Sequence, residues 1–387
     1  MAKTIAIKVF SPTGEFLKLW DTATFEVFTK KLNAGLGACV IQLGEAFDYQ
    51  GGDLKEGNIV EILISDKDTV DLLAGYTLVY SGYISNYTPW VKGKREGIVV
   101  NLLGHHTKLA LDIWKDGTTT TFDYTGAAVD FGQMFRNLMD RYIAETTNPR
   151  LSYTGGTIQL TTTTGKYLFE LKTYQEAIEK IRSMAPVDWF WYVDELGLVY
   201  FKLKPTTPTH TFIFGKHFSE VKVERSLEKM RNAFLFWNGE VDGSKIYKLY
   251  EDAASILQYG RRLEKYFDWN VGDETTADKI AAKFLAEAKL PAIKVICEII
   301  DNNEDAVHGY DIESIQPGDT CVFEGFNEQF ADVFKENMLI SQITYHLNRV
   351  ELIVEVQKAG LINWQHDTNR KLEESYLRST VPDTFSI

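Results

Sequence analysis

Two short stretches decide the fold: TIAIKVF at Thr4–Phe10 and NIVEILI at Asn58–Ile64. In the first, Ile5, Ile7 and Val9 alternate with Lys8; in the second, Val60, Ile62 and Ile64 alternate with Glu61 and Leu63. A period of two with one apolar face is the pattern of a half-buried β-strand. Four further runs fit strands in the same region: TFEVF (24–28), ACVIQLG (38–44), TLVYSGYI (77–84) and GIVVNLLG (97–104). Gly and Asp punctuate the runs at Asp48–Asp53 and Asp66–Asp71. Six strands joined by short loops predict a small antiparallel barrel over residues 1–104.

The pattern then changes. Val129, Phe131, Met134, Phe135, Leu138, Met139, Tyr142 and Ile143 lie on one face of a helix, with Asp130 as its cap and Gln133 three residues on. Thr173 and Glu176 form the T-x-x-E pattern that opens a second helix, which buries Ala177, Ile178, Ile181 and Met184 and must stop at Pro186. DWFWYVDELGLVYFKLK (188–204) reads as a hairpin turning near Asp194–Gly197, and KPTTPTHT (204–211) as an exit linker. Residues 105–216 are thus an α/β domain. SEVKVERS (219–226) and NAFLFWNGEV (232–241) return to strands, and a helix is expected near Thr275–Lys289 with Ile280, Ala281, Phe284, Leu285 and Ala288 on one face. AIKVICEII (292–300) reads as a buried strand, and IQPGDTCVF, MLISQITYHL and RVELIVEVQ as antiparallel strands, with Gly318-Asp319 making a turn.

The expected class is α+β and predominantly β: two small antiparallel β-barrel-like domains with α/β inserts. The expected divisions are 1–104, a first barrel; 105–216, α/β; 217–240 with 308–357, a second barrel; 241–307, an inserted α/β domain; and 358–387, a C-terminal extension. The length of 387 residues suits several domains rather than one.

Composition narrows the function. Forty-one Lys and Arg against 54 Asp and Glu give a net charge of −13. Sequence-specific nucleic-acid binding needs a basic face, and none is legible. The N-terminus has no long apolar core and no stretch is long enough for a membrane span, so neither a signal peptide nor a transmembrane segment is expected. Cys39, Cys297 and Cys321 sit in apolar, strand-like runs and read as buried free thiols of a protein made in a reducing cytoplasm.

No stretch carries a nucleophile elbow, a phosphate loop or a dinucleotide fingerprint. His105-His106 is the one paired histidine, but no Cys, His or carboxylate stands at ligand spacing beside it, so a structural role is expected. Asp66, Asp68 and Asp71, and Asp301 with Asn302, Asn303, Glu304 and Asp305, lack the Gly and Glu of a calcium loop and read as solvated turns. Trp189, Phe190, Trp191 and Tyr192 could form a sugar platform, but consecutive strand residues point to opposite faces, which favours core or interface. Tyr259-Gly260-Arg261-Arg262 reads as a turn whose arginines pair with carboxylates of a neighbouring subunit. No catalytic, cofactor-binding or metal-ligating residue is assigned, and no cofactor is expected.

The order of motifs over residues 232–357 carries a resemblance. NAFLFWNGEVDG is followed by YEDAASILQYGRRLEKYF, the helix TTADKIAAKFLAEAK, Pro291, a hydrophobic strand, IQPGDTCVF and MLISQITYHLNRVELIVEV. Near the N-terminus LNAGLGACVIQL, GNIVEILI and LVYSGYISNY fit the same pattern. This order resembles the baseplate hub, or tail-tip hub, proteins of tailed phages, the gp27-like family. The resemblance implies a structural, non-enzymatic homotrimer at the virion tail tip. Its ring of six barrels would adapt a six-fold tail to a three-fold tip, with segments 105–216 and 241–307 outside the ring. The implied partners are a distal tail ring or tail tube protein, a tape measure protein, and tip or fibre proteins, with DNA passing through the lumen. Because the chain ends at residue 387, soon after the last strand, cell-wall digestion and receptor binding are expected of other chains. A rival reading is a carbohydrate-binding or carbohydrate-active protein, which needs an exposed aromatic platform or a carboxylate pair across a cleft.

Overall fold

The computed structural model describes residues 3–20, 23–44, 52–65, 75–93, 95–114, 121–241, 244–301, 310–326 and 337–355. Asp66, Asp68, Asp71, Asn302 to Asp305 and the extension 358–387 lie outside them.

The first segment gives β1 (Thr4–Phe10), β2 (Phe16–Trp20), β3 (Thr24–Lys31), β4 (Leu36–Leu43), β5 (Ile59–Ser65), β6 (Thr77–Lys92) and β7 (Arg95–Gly104). Alternation does what it predicts: Ile7, Val9, Val60 and Ile62 are fully buried, while Lys8 and Glu61 lie half-buried on the opposite face. β2 was not expected. Phe16, Leu17 and Lys18 are all exposed, so it has no apolar period to read and exists by pairing with β1.

The middle of the chain holds β8 (Thr121–Asp123), β9 (Val129–Asp130), α1 (Phe131–Glu145), β10 (Thr164–Gly165), β11 (Leu168–Glu170), α2 (Tyr174–Met184), β12 (Trp189–Val193) and β13 (Val199–Leu203). The caps are those the sequence called for. Asp130 accepts from the Gly132 and Gln133 amides, and Thr173 with Glu176 closes a full capping box.

Next come β14 (His210–Ile213), β15 (Val221–Ser226), β16 (Ala233–Val241), β17 (Ser244–Glu251), α3 (Ala253–Tyr259), β18 (Leu263–Phe267) and α4 (Glu274–Ala288). The chain then runs through β19 (Ala292–Ile300), β20 (Thr320–Glu324), β21 (Met338–His346) and β22 (Arg349–Glu355). Gly318, before β20, has φ +87°, and a Cβ there would meet the Phe190 ring at 2.2 Å. The turn therefore requires glycine for both its conformation and its space.

Thirteen strands make one sheet. Its path runs β15-β19-β22-β21-β3-β4-β7-β6-β5-β1-β2, with β20 also beside β21 and β14 parallel to β20. Among the described residues this path does not close on itself: β2 and β15 stand at its two ends. Seven strands from the first segment and six from the rest meet where β3 pairs antiparallel with β21, Phe28 opposite Tyr345 and Lys31 opposite Gln342. One hydrophobic core spans both groups, including Val9, Ile41, Val100, Val295, Ile343 and Leu352.

Two strands sit elsewhere than their sequence neighbours suggested. Ala233–Val241, read alongside SEVKVERS, pairs instead with β17 and, in parallel, with β18 in a separate three-stranded sheet. Ala292–Ile300 joins the large sheet between β15 and β22, because Val295, Cys297 and Ile299 supply an apolar face matching that core. The three-stranded sheet packs with α1, α2, α4 and β12 around a second core in which Phe135, Trp191 and Phe201 join Phe234, Ala281 and Phe284. Lys180 of α2, fully buried, pairs with Asp268 and donates to the Tyr266 hydroxyl (2.6 Å). Burial pulls its ammonium down, but the Asp268 charge outweighs this and holds Lys180 protonated.

At the seam of the large sheet Phe28 stacks on Tyr345 with ring centroids 4.9 Å apart, and it packs against Tyr80 at 5.1 Å. Phe28→Ala is expected to destabilise the protein by about 3–5 kcal/mol, as for a fully buried aromatic ring. Chemical denaturation checks this, with the unfolding midpoint falling and no change in far-UV circular dichroism of the folded baseline.

Candidate functional site

Most of the polar and aromatic motifs singled out in the sequence are consumed by packing. His105 and His106 open a 3-10 turn after β7 and are 5% and 8% exposed. His105 shares a hydrogen bond with Ser81 Oγ (3.1 Å), and the two Nδ1 atoms have no partner. Burial, reinforced by Lys108, Arg150 and His106, pushes His105 down to about 3, and burial alone lowers His106 to about 4.

Trp189, Phe190, Trp191 and Tyr192 are all buried, but in two places. Trp189 and Trp191 enter the helical core, where the Trp191 indole donates to Glu179 (2.8 Å). Phe190 and Tyr192 face the large sheet at Leu339, and Tyr192 stacks on Tyr200 at 4.5 Å. The quartet joins the two layers and leaves no exposed sugar platform.

The Tyr259–Arg262 turn is also internal. Gly260 caps α3 with φ +75°, Arg261 pairs with Glu251 (2.7 Å), and Arg262 donates to the Leu227 carbonyl (3.0 Å). Both arginines thus have partners within their own chain, Arg261 in an exposed pair. Asp301 is held by Lys3 at 2.5 Å. Cys39, Cys297 and Cys321 are buried free thiols, and burial raises the pKa of each. Among the described residues no group of three or more His, Cys, Asp or Glu is placed to hold a metal ion, and no helix is long and apolar enough to cross a membrane.

What stands out is a surface the sequence reading passed over. The inner face of the three-stranded sheet (Phe234, Phe236, Tyr250, Tyr266) belongs to the helical core. Its outer face carries apolar side chains too, beside the exposed Lys265 and Glu251. Tyr247, Trp237 and Phe267 lie in register across β17, β16 and β18, and Leu249 stands opposite Leu235 one step along. Trp237 packs on Phe267 (4.6 Å), and Phe267 on Trp269 (5.5 Å). Tyr247 is 67% exposed, Trp269 52%, and Leu257 of α3 90%. A sheet face that is not packed on the core is ordinarily wetted by polar side chains, and this one carries an aromatic band instead. The signal was present in the sequence as strands with apolar residues at both parities, FLFW and IYKLY, which suits burial on both sides.

With this geometry in hand, known proteins can be compared. No protein-family profile matches the chain, and no curated protein is similar to it. Solved structures do match. The 43 kDa tail protein of prophage MuSo2 from Shewanella oneidensis superposes with a TM-score of 0.63 at 14% identity, over 92% of this chain and 99% of that one. The chain has the fold of phage tail proteins. The tail protein from Neisseria meningitidis MC58 gives 0.59 at 11% identity, over 94% and 99% of the two chains. The prophage tail protein gp18 from Listeria monocytogenes gives 0.57 at 10% identity, over 95% and 99%. This phage-tail fold agrees with the resemblance carried by the order of motifs, and it covers both β groups and the helical layer together.

Two outcomes follow from the site residues. Tyr247→Ser and Leu257→Ser should each leave the thermal unfolding of the chain within about 0.5 kcal/mol of wild type, since neither side chain is in the core. The histidine prediction concerns pH. With its folded pKa at about 4 against an ordinary 6.5, His106 takes up its proton in the unfolded chain first. Stability is therefore lost as pH falls from about 6.5 to about 4, by up to about 3 kcal/mol. His106→Leu should flatten that part of the stability-against-pH curve; an unchanged slope would contradict the assignment.

Proposed function

We propose that the chain is a structural, non-catalytic hub subunit of a phage tail tip, acting as a homotrimeric ring around the DNA channel. The observation that carries this reading is the end-to-end match of fold with three phage tail proteins, each covered over 99% of its length. The internal arrangement supports it. We read the seven strands of residues 4–104 as one barrel-like module. The six strands β14, β15, β19, β20, β21 and β22 form the other, and the modules join edge to edge at β3–β21. Three copies would then offer six similar modules to a six-fold tail tube or distal tail ring and a three-fold axis to the tip. The two α/β segments share one core in this reading and form a single outer lobe.

Charge suits a conduit. Each copy carries −13, so an acidic lumen would repel the phosphate backbone and let DNA pass without binding. The expected partners are further copies in the ring, the tube or distal tail protein above, the tape measure protein within, and tip or fibre proteins below. The aromatic band of β16–β18 lies on the outer lobe, away from the module seam, and its occupant in this reading is a peripheral tip or fibre protein. The location is the virion tail, assembled from chains made in the host cytoplasm.

Solution mass by light scattering, with negative-stain images of the same sample, tests the reading. Particles of three chains with a central hole are expected, and Tyr247→Ser should form them as well as wild type does. A chain that stays monomeric at every concentration and still hydrolyses or binds glycans would replace the hub with the carbohydrate reading.

A further inference from the structure

The strongest unexplained feature lies where the first β segment meets the outer lobe. On the face of β1, β5 and β6 opposite the large core, half-buried Lys8 and Glu61 and buried Ser81 stand in register, and Ser81 continues the row to buried His105 through its hydrogen bond. Arg150, from the loop after α1, reaches over this row: a Cβ on Gly14, in the β1–β2 turn, would sit 2.8 Å from its Nη2. Lys108 lies beside it, its ammonium 4.8 Å from the Tyr83 ring centroid. Lys8 and Arg150 both act on Glu61, and Arg150 also acts on Lys108, in a chain with 13 more acids than bases.

The cations are also poorly satisfied. Neither Lys108 nor Arg150 forms an ion pair among the described residues, and the Arg150 Nε is buried with no acceptor. The His105 Nδ1 beside them is likewise buried and unpartnered. Burial lowers the Lys108 pKa, with Arg150 adding to it. Burial raises the Glu61 pKa against the pull of Lys8 and Arg150. Both directions describe a half-dry spot with too much positive charge. Leaving a buried donor unpaired costs about 1–3 kcal/mol, so Arg150 is poorly satisfied where it stands.

Resting on the trimeric reading above, we infer that Arg150 and Lys108 form the receptor for one or more carboxylates of a second copy of this chain. Charge complementarity selects that occupant. Chains of net −13 repel one another, so a homo-oligomer needs a local attraction to close. This cluster offers more positive charge than Glu61 offsets, and every copy brings a surplus of acids. Arg presents a planar fork suited to a carboxylate, and Lys108 adds a point charge next to it. Contacts of this kind set register and on-rate in addition to affinity.

The test is the double variant Arg150→Gln, Lys108→Gln in the full chain. Light scattering and sedimentation would be run at about 0.05 M and about 0.5 M salt, which changes screening several-fold. Wild-type assembly should weaken with salt. The variant, at net −15 per chain, should associate at least about tenfold more weakly at low salt, a change of about 1.4 kcal/mol, and should recover association as salt screens the repulsion. Its thermal midpoint as an unassembled chain should stay level or rise, because two like charges are gone. Trimers of unchanged strength in the variant would overturn this inference and leave the hub reading standing. A drop in unassembled-chain stability as large as the loss of association would also overturn it, assigning Arg150 to Glu61 within the chain. Monomers in both proteins at all concentrations would overturn this inference, whereas the hub reading falls only if that monomer also binds or hydrolyses glycans.

Discussion

The antiparallel pairing of β3 with β21 is the constraint on which the rest of the architecture depends. It is short, running from Phe28 to Lys31 against Gln342 to Tyr345, yet it alone makes one sheet of two strand groups. The same stretch of chain also reaches the outer lobe. Lys30 extends to Glu195 (3.1 Å) and Gln316, the Asn33 amide donates to the Trp191 carbonyl (2.7 Å), and the Val193 amide to Ala34 (3.1 Å). Asn33 takes a positive φ of 56°, which an Asn tolerates better than most residues, and this aims the β3–β4 turn at the β12 edge. Five consecutive residues therefore fix the second strand group, the hairpin and the loop before β20 relative to the first segment.

Much of this was legible in the sequence, and the limits are physical. Local rules worked where local forces decide: period two for β1 and β5, the Asp130 cap, the Thr173–Glu176 box and the stop at Pro186. β2 escaped because its first three residues are exposed, with burial only toward Trp20, and it owes its shape to its neighbour. Strand partnership was illegible because a strand's apolar face says that it is buried, not against what. Ala233–Val241 and Ala292–Ile300 carry similar apolar content, yet one closes the helical core and the other the large sheet. The aromatic band was hidden by the same ambiguity. A strand apolar on both faces reads as buried, whether the second face is covered by its own chain or awaits another.

Charge is handled in two ways across the molecule. In the helical layer, two buried sets are satisfied: Lys180 with Asp268 and Tyr266, and Arg182 with Glu179, which in turn accepts from Trp191. Such pairs add little net stability but punish any rearrangement that separates them, so they fix how α2 sits on the three-stranded sheet. At the junction of lobe and sheet Lys30 is paired with Glu195, but Lys108 and Arg150 form no ion pair among the described residues. The molecule is thus rigidly specified inside its layers and electrostatically incomplete between them, which fits a part made to be assembled.

The seam also has a temporal side. Its two strands are separated by more than 300 residues of chain, since Lys31 meets Gln342. At translation rates of about 5–20 residues per second, β3 leaves the ribosome roughly 15–60 s before β21 exists. During that interval the free edge of β3, with Phe25 and Phe28 beside it, is an open template for any other strand, including that of a neighbouring nascent chain. The first segment must either fold with that edge exposed or wait, and long-range pairing of this kind closes slowly in any case. Polysomes making this protein would therefore benefit from a chaperone that shields a single sheet edge, and the yield of correctly joined chains should depend more on synthesis rate and temperature than on the final stability of the product.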